Sequence, residues 1–216
     1  MIKTEIPIQT GDFGILVLFK NLPLNGRLTH YHATLSFISR MDLTVQTLDV
    51  TQTGGIVVDG RGYLGGYRGG NDVIGQTLNN QDGSTLHSDS SYGSLTTPEN
   101  LESGGDYGRM GGDGGGRIRI LAQNIFLDGV INANGANGQD YNAGSGSGGA
   151  VLIQTNLFDG TGIISANGGV AQVGGGGGRI AVYYNTLSLT QANITSSGGA
   201  GTRVSGSGCP IYLEEQ

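Results

Sequence analysis

The sequence predicts an all-β protein, a parallel β-solenoid (β-helix) with about four coils of about 30 residues each and stacked glycine-rich loops. Three observations predict this fold. Short apolar segments with period-two spacing recur along the chain. A glycine-rich loop follows at the same place in each repeat. Glycine occupies 43 of the 216 positions without a Gly-X-Y period, so the composition does not indicate collagen.

The repeat is clearest at four glycines that recur at nearly even spacing, Gly116, Gly149, Gly178 and Gly208. A strand-like apolar segment follows each of them. A repeat of this length is too short for a strand–helix–strand crossover with its loops, but it can hold three short strands. Such a repeat cannot bury its inward face alone, so it gains stability by stacking on its neighbours. An earlier copy begins near Leu43, and we assign residues 41–216 to the solenoid.

Equivalent residues of stacked coils are expected to form columns along the molecule. Two columns are apolar: one comprises Ile56, Ile131, Ile164 and Ile194, and the other comprises Leu48, Ile125, Leu157 and Leu187. A third comprises Asp59, Asn134, Asn167 and Ser197, each followed by glycine. Side chains of this kind cap backbone groups at turns. A column of calcium sites is the alternative, although asparagine and serine bring no charge to it.

The glycine-rich loops, residues 136–148, 169–177 and 199–207, occupy the same place in successive coils. Glycine often marks flexible chain. It also lets backbones approach more closely than any other residue does. We favour the second interpretation, in which the loops pack backbone to backbone.

The first coil contains a Gly/Tyr-rich insertion, residues 61–115, which is long enough to carry function. Its candidate ligand-binding residues are Tyr63, Tyr67, Tyr92, Tyr107 and Asp106. Tyrosine rings could stack on sugar faces while acids bind sugar hydroxyls. Tyrosine packed over glycine backbone is the alternative.

The two ends of the chain are predicted to differ. Residues 1–40 do not show the repeat and are expected to form an N-terminal strand and cap over the first coil. The last strand-like segment has no comparable cover. The candidate assembly interface therefore comprises Ile15 and Val17 near one end and Ile211 and Leu213 near the other. Head-to-tail contacts between them would give a homo-oligomer or a filament.

Composition argues against several functions. The formal net charge of −6 argues against a nucleic-acid partner. No apolar run is long enough for membrane insertion, and the one cysteine, Cys209, cannot form an internal disulfide. His30 and His32 lack the spacing of a zinc site. We therefore assign no catalytic residue, no metal and no cofactor.

Segments such as 114–120, 131–135 and 175–184 resemble the glycine-rich repeats of large secreted or surface-anchored proteins with parallel β-helices. The resemblance covers roughly residues 43–213. It implies an extracellular or cell-surface location and a non-catalytic structural or adhesive role. The alternative is a β-helix that binds or cleaves carbohydrate through the 61–115 insertion, with a polysaccharide as partner.

Overall fold

The computed structural model describes residues 6–7, 17–33, 39–66, 93–105, 111–139 and 143–216. The described chain is almost entirely β structure, which confirms the predicted all-β class. All strand pairs in its sheets are parallel. These residues contain no α-helix, and one short 3-10 helix covers Gln191–Asn193.

Two six-stranded sheets dominate the structure, and a two-stranded sheet lies beside them. Sheet I contains, in spatial order, β1 (Ile6–Pro7), β3 (Arg27–Thr29), β5 (Gly55–Val57), β7 (Val130–Asn132), β9 (Ile163–Ser165) and β12 (Ile194–Thr195). Sheet II contains β2 (Val17–Leu24), β4 (Met41–Val50), β6 (Arg117–Leu127), β8 (Ala150–Asp159), β11 (Arg179–Leu187) and β14 (Ile211–Glu215). Sheet III pairs β10 (Ala171–Val173) with β13 (Gly201–Val204).

Along the chain, successive strands of the two large sheets alternate between sheet I and sheet II. We use "unit" for one sheet II strand, the sheet I strand that follows it, and the loop to the next sheet II strand. Each sheet II strand pairs with the sheet II strands of the units before and after it. The chain therefore advances by one strand in each sheet per unit.

The core lies between sheets I and II. It is formed by the inward-facing side chains, which alternate with outward-facing ones along each strand. In the first half of β6, Ile118, Ile120 and Ala122 are buried, whereas the two residues between them are exposed. This period of two is that of a strand with one face inward. The inward residues of both sheets belong to one apolar cluster. Burial of these aliphatic side chains stabilises the units against each other.

The predicted isoleucine column is confirmed. Ile56 pairs with Ile131, Ile131 with Ile164, and Ile164 with Ile194, in neighbouring sheet I strands. All four side chains are buried. The column continues into the N-terminal part of the chain, because Leu28 pairs with Ile56 and Ile6 with Leu28. The 17–29 region thus adds strands to both sheets, although residues 1–40 were expected to lie outside the repeat.

The second predicted column is wrong at one position. Leu48 pairs with Ile125, but Ile125 pairs with Phe158, which in turn pairs with Leu187. Phe158 is fully buried, and Leu157 lies one position out of the column. The offset in numbering between β6 and β8 is constant along both strands. Pairing Leu157 with Ile125 would shift the register between the two strands by one residue. A shift of one residue moves the side chains of a strand to the other face of the sheet.

The alignment of the last unit is also displaced by one position. Ile180 pairs with Ile211, so Cys209 and not Gly208 occupies the place of Gly178. The backbone amide of Cys209 donates to the carbonyl of Ser196, as that of Gly178 donates to Ala166. Cys209 is half-buried there, and burial raises the pKa of its thiol. The residue fills a structural position of the repeat.

The predicted capping role of the third column is confirmed. The Asp59 carboxylate accepts a 2.7 Å hydrogen bond from the backbone amide of Asn134. The Asn134 side chain accepts from the amide of Asn167 at 2.8 Å, and the Asn167 side chain from the amide of Ser197 at 2.8 Å. Each side chain thus binds the equivalent residue of the next unit. We call this column the Asx ladder.

The glycine-rich loops pack backbone to backbone, as predicted. Backbone hydrogen bonds of 2.9 and 2.8 Å join neighbouring loops, with the amides of Gly169 and Gly199 donating to Gly146 and Gly175. Bonds of 2.9–3.0 Å close each loop on itself, from the amides of Gly146, Gly175 and Gly206 to Ala136, Gly169 and Gly199. A Cβ atom on Gly175 would collide with the carbonyl of Gly146. Glycine is therefore required here for close approach of backbones between units.

Candidate functional site

One described part of the insertion, residues 93–105, lies on the outward face of sheet II, and we call it the strap. The Tyr183 hydroxyl of β11 donates to the carbonyl of Thr96 at 2.9 Å. The backbone amide of Ser147 donates to Ser103 at 3.1 Å. Outward-facing Ala181 is fully buried. The strap thus joins several units across their outer surface.

An ion pair between Glu102 of the strap and Arg179 of β11 fixes this segment. Both residues are buried. Burial raises the pKa of Glu102 to about 7, and the neighbouring Arg179 guanidinium acts in the opposite direction. Gly93 has a positive φ of 88° and lies directly against the same guanidinium, where a larger residue would collide with it. Two residues of the strap therefore contact the Arg179 guanidinium.

A second buried arginine, Arg117 of β6, lies on the same outward face. Its guanidinium is 3.3 Å from the carboxylate of Asp42 in β4. Burial lowers the pKa of Arg117, and Asp42 opposes that shift. Arg117 and Arg179 both pair with Ala150 in the strand between them, so they occupy one column. Each arginine has its own carboxylate partner, so both positive charges of the column are in ion pairs.

The candidate ligand-binding residues of the insertion are only partly placed. Tyr63 is buried and packs with Ala33 and Leu101. Its backbone amide donates to the carbonyl of Glu102 at 3.0 Å. Tyr63 is therefore a packing residue that contacts the strap. Tyr67, Tyr92, Tyr107 and Asp106 lie outside the described residues, and their assignment as a binding site stays a prediction.

Sequence reasoning missed an aromatic pair on the outward face of sheet II. The rings of Tyr183 and Tyr212 are 5.7 Å apart at an angle of 56°. The Tyr212 hydroxyl donates to the Glu214 carboxylate at 2.5 Å, which raises the pKa of Tyr212. Both rings are half-exposed. A signal was present, since both tyrosines follow an inward aliphatic residue in equivalent strands, but the predicted contact residues were confined to the insertion.

The three described candidate assembly residues lie at opposite ends of sheet II. Ile211 and Leu213 belong to β14, which pairs only with β11 among the described strands. Their side chains are half-buried, whereas their partners Ile180 and Val182 are fully buried. Val17 begins β2 at the other end of the sheet. Ile15 lies outside the described residues.

His30, His32 and the Asx ladder each lie close to polar groups of the protein itself. Burial lowers the pKa of His30 to about 4, so the ring is neutral near pH 7, and its Nδ1 lies 2.7 Å from the Tyr31 carbonyl. His32 lies 3.5 Å from Asp113. In the described part of the chain, no group of three or more His, Cys, Asp or Glu side chains could hold a metal ion. The Asx ladder binds backbone amides, which explains its composition without calcium.

Two further findings concern classification. Within the described ranges, no helix has the length and apolar character that crossing a bilayer requires. Comparisons with protein-family models, curated proteins and solved structures found no match for this chain.

Proposed function

We propose that this protein is a parallel β-solenoid with a non-catalytic, structural role, whose copies stack end to end. The alternation of strands between sheets I and II supports the solenoid, because each unit then corresponds to one coil. The Asx ladder and the hydrogen-bonded glycine loops repeat the same contacts from unit to unit. Such repetition stiffens a molecule along one axis.

The exposed last strand is the observation that carries the stacking proposal. In the inner units, the positions equivalent to Ile211 and Leu213 are fully buried. In β14 they remain half-exposed, beside backbone groups that have no neighbouring strand among the described residues. An exposed strand edge with an apolar face is a template for another strand. Covering it would bury the same kind of surface that each inner unit already buries.

The test is the size of the purified chain across a concentration series, by light scattering after size-exclusion chromatography and by negative-stain electron microscopy. We expect end-to-end chains whose length grows with concentration. A Leu213→Lys variant should remain folded by circular dichroism but stop this growth, since lysine on an edge strand opposes strand addition. A wild-type protein that stays monomeric at every concentration would contradict the proposal.

The matched control is Leu121→Lys, which changes an exposed apolar side chain on the outward face of an inner strand. This variant should assemble as the wild type does. Loss of assembly in both variants would point to non-specific hydrophobic association and away from end-to-end stacking.

An extracellular or cell-surface location belongs to the same proposal. Its support is the resemblance of the glycine-rich units to those of secreted and surface-anchored proteins. A stiff, stacked rod suits an adhesive or matrix role there. The check is immunolabelling of intact, unpermeabilised cells of the source organism, in which surface label is the expected result.

Polysaccharide binding is a second candidate, and the Tyr183–Tyr212 pair favours it. Two half-exposed aromatic rings beside the carboxylate of Glu214 offer both an apolar platform and a hydrogen-bond acceptor. Affinity electrophoresis in gels that contain a panel of polysaccharides would test it. Tyr212→Ala should abolish any retardation, and Tyr31→Ala, at an exposed tyrosine of another region, should preserve it.

A further inference from the structure

We propose that the stacking joint has one defined register: β14 of one copy pairs in parallel with β2 of a second copy, with Leu213 opposite Val17, while β12 pairs with β1. This inference rests on the proposed function, since it specifies how two copies meet. The partner is a second copy of this chain. Three observations support the register: the strand count at each end, the columns, and the charges.

The two ends of the molecule carry complementary halves of a unit. At one end, β14 is a sheet II strand with no sheet I strand after it in the described residues. At the other end, β1 is a sheet I strand with no sheet II strand before it in the described residues. Placing β1 of a second copy after β14 completes one unit. The alternation between the sheets then continues without interruption across the joint.

Both sheets give the same register independently. In sheet II, one column of backbone pairs joins Val17 to Leu213 through Leu43, Ile120, Ile153 and Val182. In sheet I, the isoleucine column begins at Ile6 and ends at Ile194. Continuing each column into a second copy puts Val17 opposite Leu213 and Ile6 opposite Ile194. Both conditions require the same displacement of the second copy, by one strand beyond the last strand of each sheet.

The charges at the two ends are opposite in sign. The strand edge at β14 carries Glu214 and Glu215. Near the opposite edge lie the exposed residues Lys20 and Arg27. The column of Glu215 begins at Phe19, so the proposed register places Lys20 one position beyond the residue opposite Glu215, near the acidic end of β14. Two copies meeting by their β14 edges would instead bring like charges together.

Disulfide trapping tests this register. In a Cys209→Ser background, Val17→Cys and Leu213→Cys are combined in one chain. Within a copy these positions are five strand spacings apart, about 24 Å, so they cannot bridge. Across the proposed joint their Cα atoms would be about 4.8 Å apart, within the range of a disulfide. Mild oxidation should give a ladder of cross-linked dimers, trimers and larger species on non-reducing gels.

The shifted control combines Leu213→Cys with Asn21→Cys. Asn21 lies further along β2, about 13 Å from Val17, which is the proposed partner of Leu213. We expect at least tenfold less cross-linked product from this pair. Equal cross-linking of both pairs would overturn the register. Dimers from Leu213→Cys alone, as abundant as those of the matched pair, would overturn it in favour of a joint between two β14 edges.

The same samples distinguish failure of the register from failure of the stacking function. Light scattering before oxidation reports whether copies associate at all. Association without cross-linking of the matched pair overturns the register and leaves end-to-end stacking in place. Absence of association overturns both.

Discussion

Asn134 shows how a single side chain connects neighbouring units. Its amide donates to Asp59 and its side chain accepts from Asn167, so it takes part in two successive links of the Asx ladder. An Asn134→Ala variant would leave the partly buried Asn167 amide without this acceptor. We expect the free energy of unfolding to fall by about 1–3 kcal/mol, measured by urea denaturation.

The matched substitution is Asn134→Asp, which keeps an oxygen acceptor at the same place. Asp59 already fills this role with a carboxylate, so Asn134→Asp should lose less stability than Asn134→Ala. Equal losses in the two variants would show that the side-chain acceptor is not what the ladder requires.

The two buried titratable residues Glu102 and His30 affect stability in opposite directions with pH. Glu102 has a pKa raised from 4.5 to about 7, so the folded state binds more protons between these values and stability falls as pH rises. His30 has a pKa lowered from 6.5 to about 4, so the unfolded state binds more protons there and stability rises with pH. Between pH 4.5 and 6.5 the two effects oppose each other.

Single variants should separate these effects. Unfolding free energies of Glu102→Gln should rise from pH 4.5 to 6.5, because only the His30 contribution remains. Those of His30→Gln should fall over the same range, and each change should be at most about 3 kcal/mol. Urea denaturation at several pH values measures both slopes. Parallel profiles for the two variants would show that these side chains do not control the pH dependence.

At the scale of elements, the glycine loops allow a comparison of adjacent positions. A Cβ atom on Gly175 would collide with the Gly146 carbonyl, whereas the nearest atom to a Cβ on Gly176 is the Ser207 carbonyl oxygen at 3.9 Å. Gly175→Ala should therefore lower the free energy of unfolding by about 2 kcal/mol or more. Gly176→Ala should be neutral or stabilise by about 0.4–1 kcal/mol.

Thermal and urea unfolding of both variants would measure the difference. If the loops were mobile, the Gly175 substitution would cost no more than the Gly176 substitution. That result would contradict backbone packing of the loops as a source of stability.

The sequence was sufficient to predict elements wherever chemistry repeats at constant spacing. Ile131 and Ile164 lie one repeat apart in equivalent strands, and Asn134 and Asn167 of the Asx ladder have the same spacing. The register failed at Leu157 because both Leu157 and Phe158 are apolar, and composition alone does not choose between them. The strands at 17–29 were not predicted as repeats, although Leu22 and Leu24 pair with apolar residues of the next unit, because no glycine-rich loop follows them.

The candidate site was less predictable than the elements. The insertion was expected to carry function, but nothing in the sequence indicates that Glu102 would meet Arg179, which is 77 residues away. That contact depends on the path of the strap across several units, and no local pattern encodes it. The Tyr183–Tyr212 pair differs in this respect, because both tyrosines follow an inward aliphatic residue in the equivalent strands β11 and β14.

At the scale of the whole molecule, the proposed joint predicts the dimensions of an assembly. The described residues of each copy contribute six strands to each large sheet, and neighbouring strands are about 4.8 Å apart. Successive copies should therefore repeat every ~29 Å along the axis. Power spectra from electron micrographs of assembled protein would show this spacing. A repeat of about twice that length would instead indicate alternating orientations of the copies.

The Asx ladder has a consequence at the level of the gene. Because each unit presents the same acceptor to the next, an added unit finds a matching donor on one side and acceptor on the other. The spacing between β6 and β8 is constant and equals that between β7 and β9. Duplication of the codons of this one unit would therefore add one strand to each large sheet and leave the register intact. Selection could then change the length of the molecule in small, equal steps.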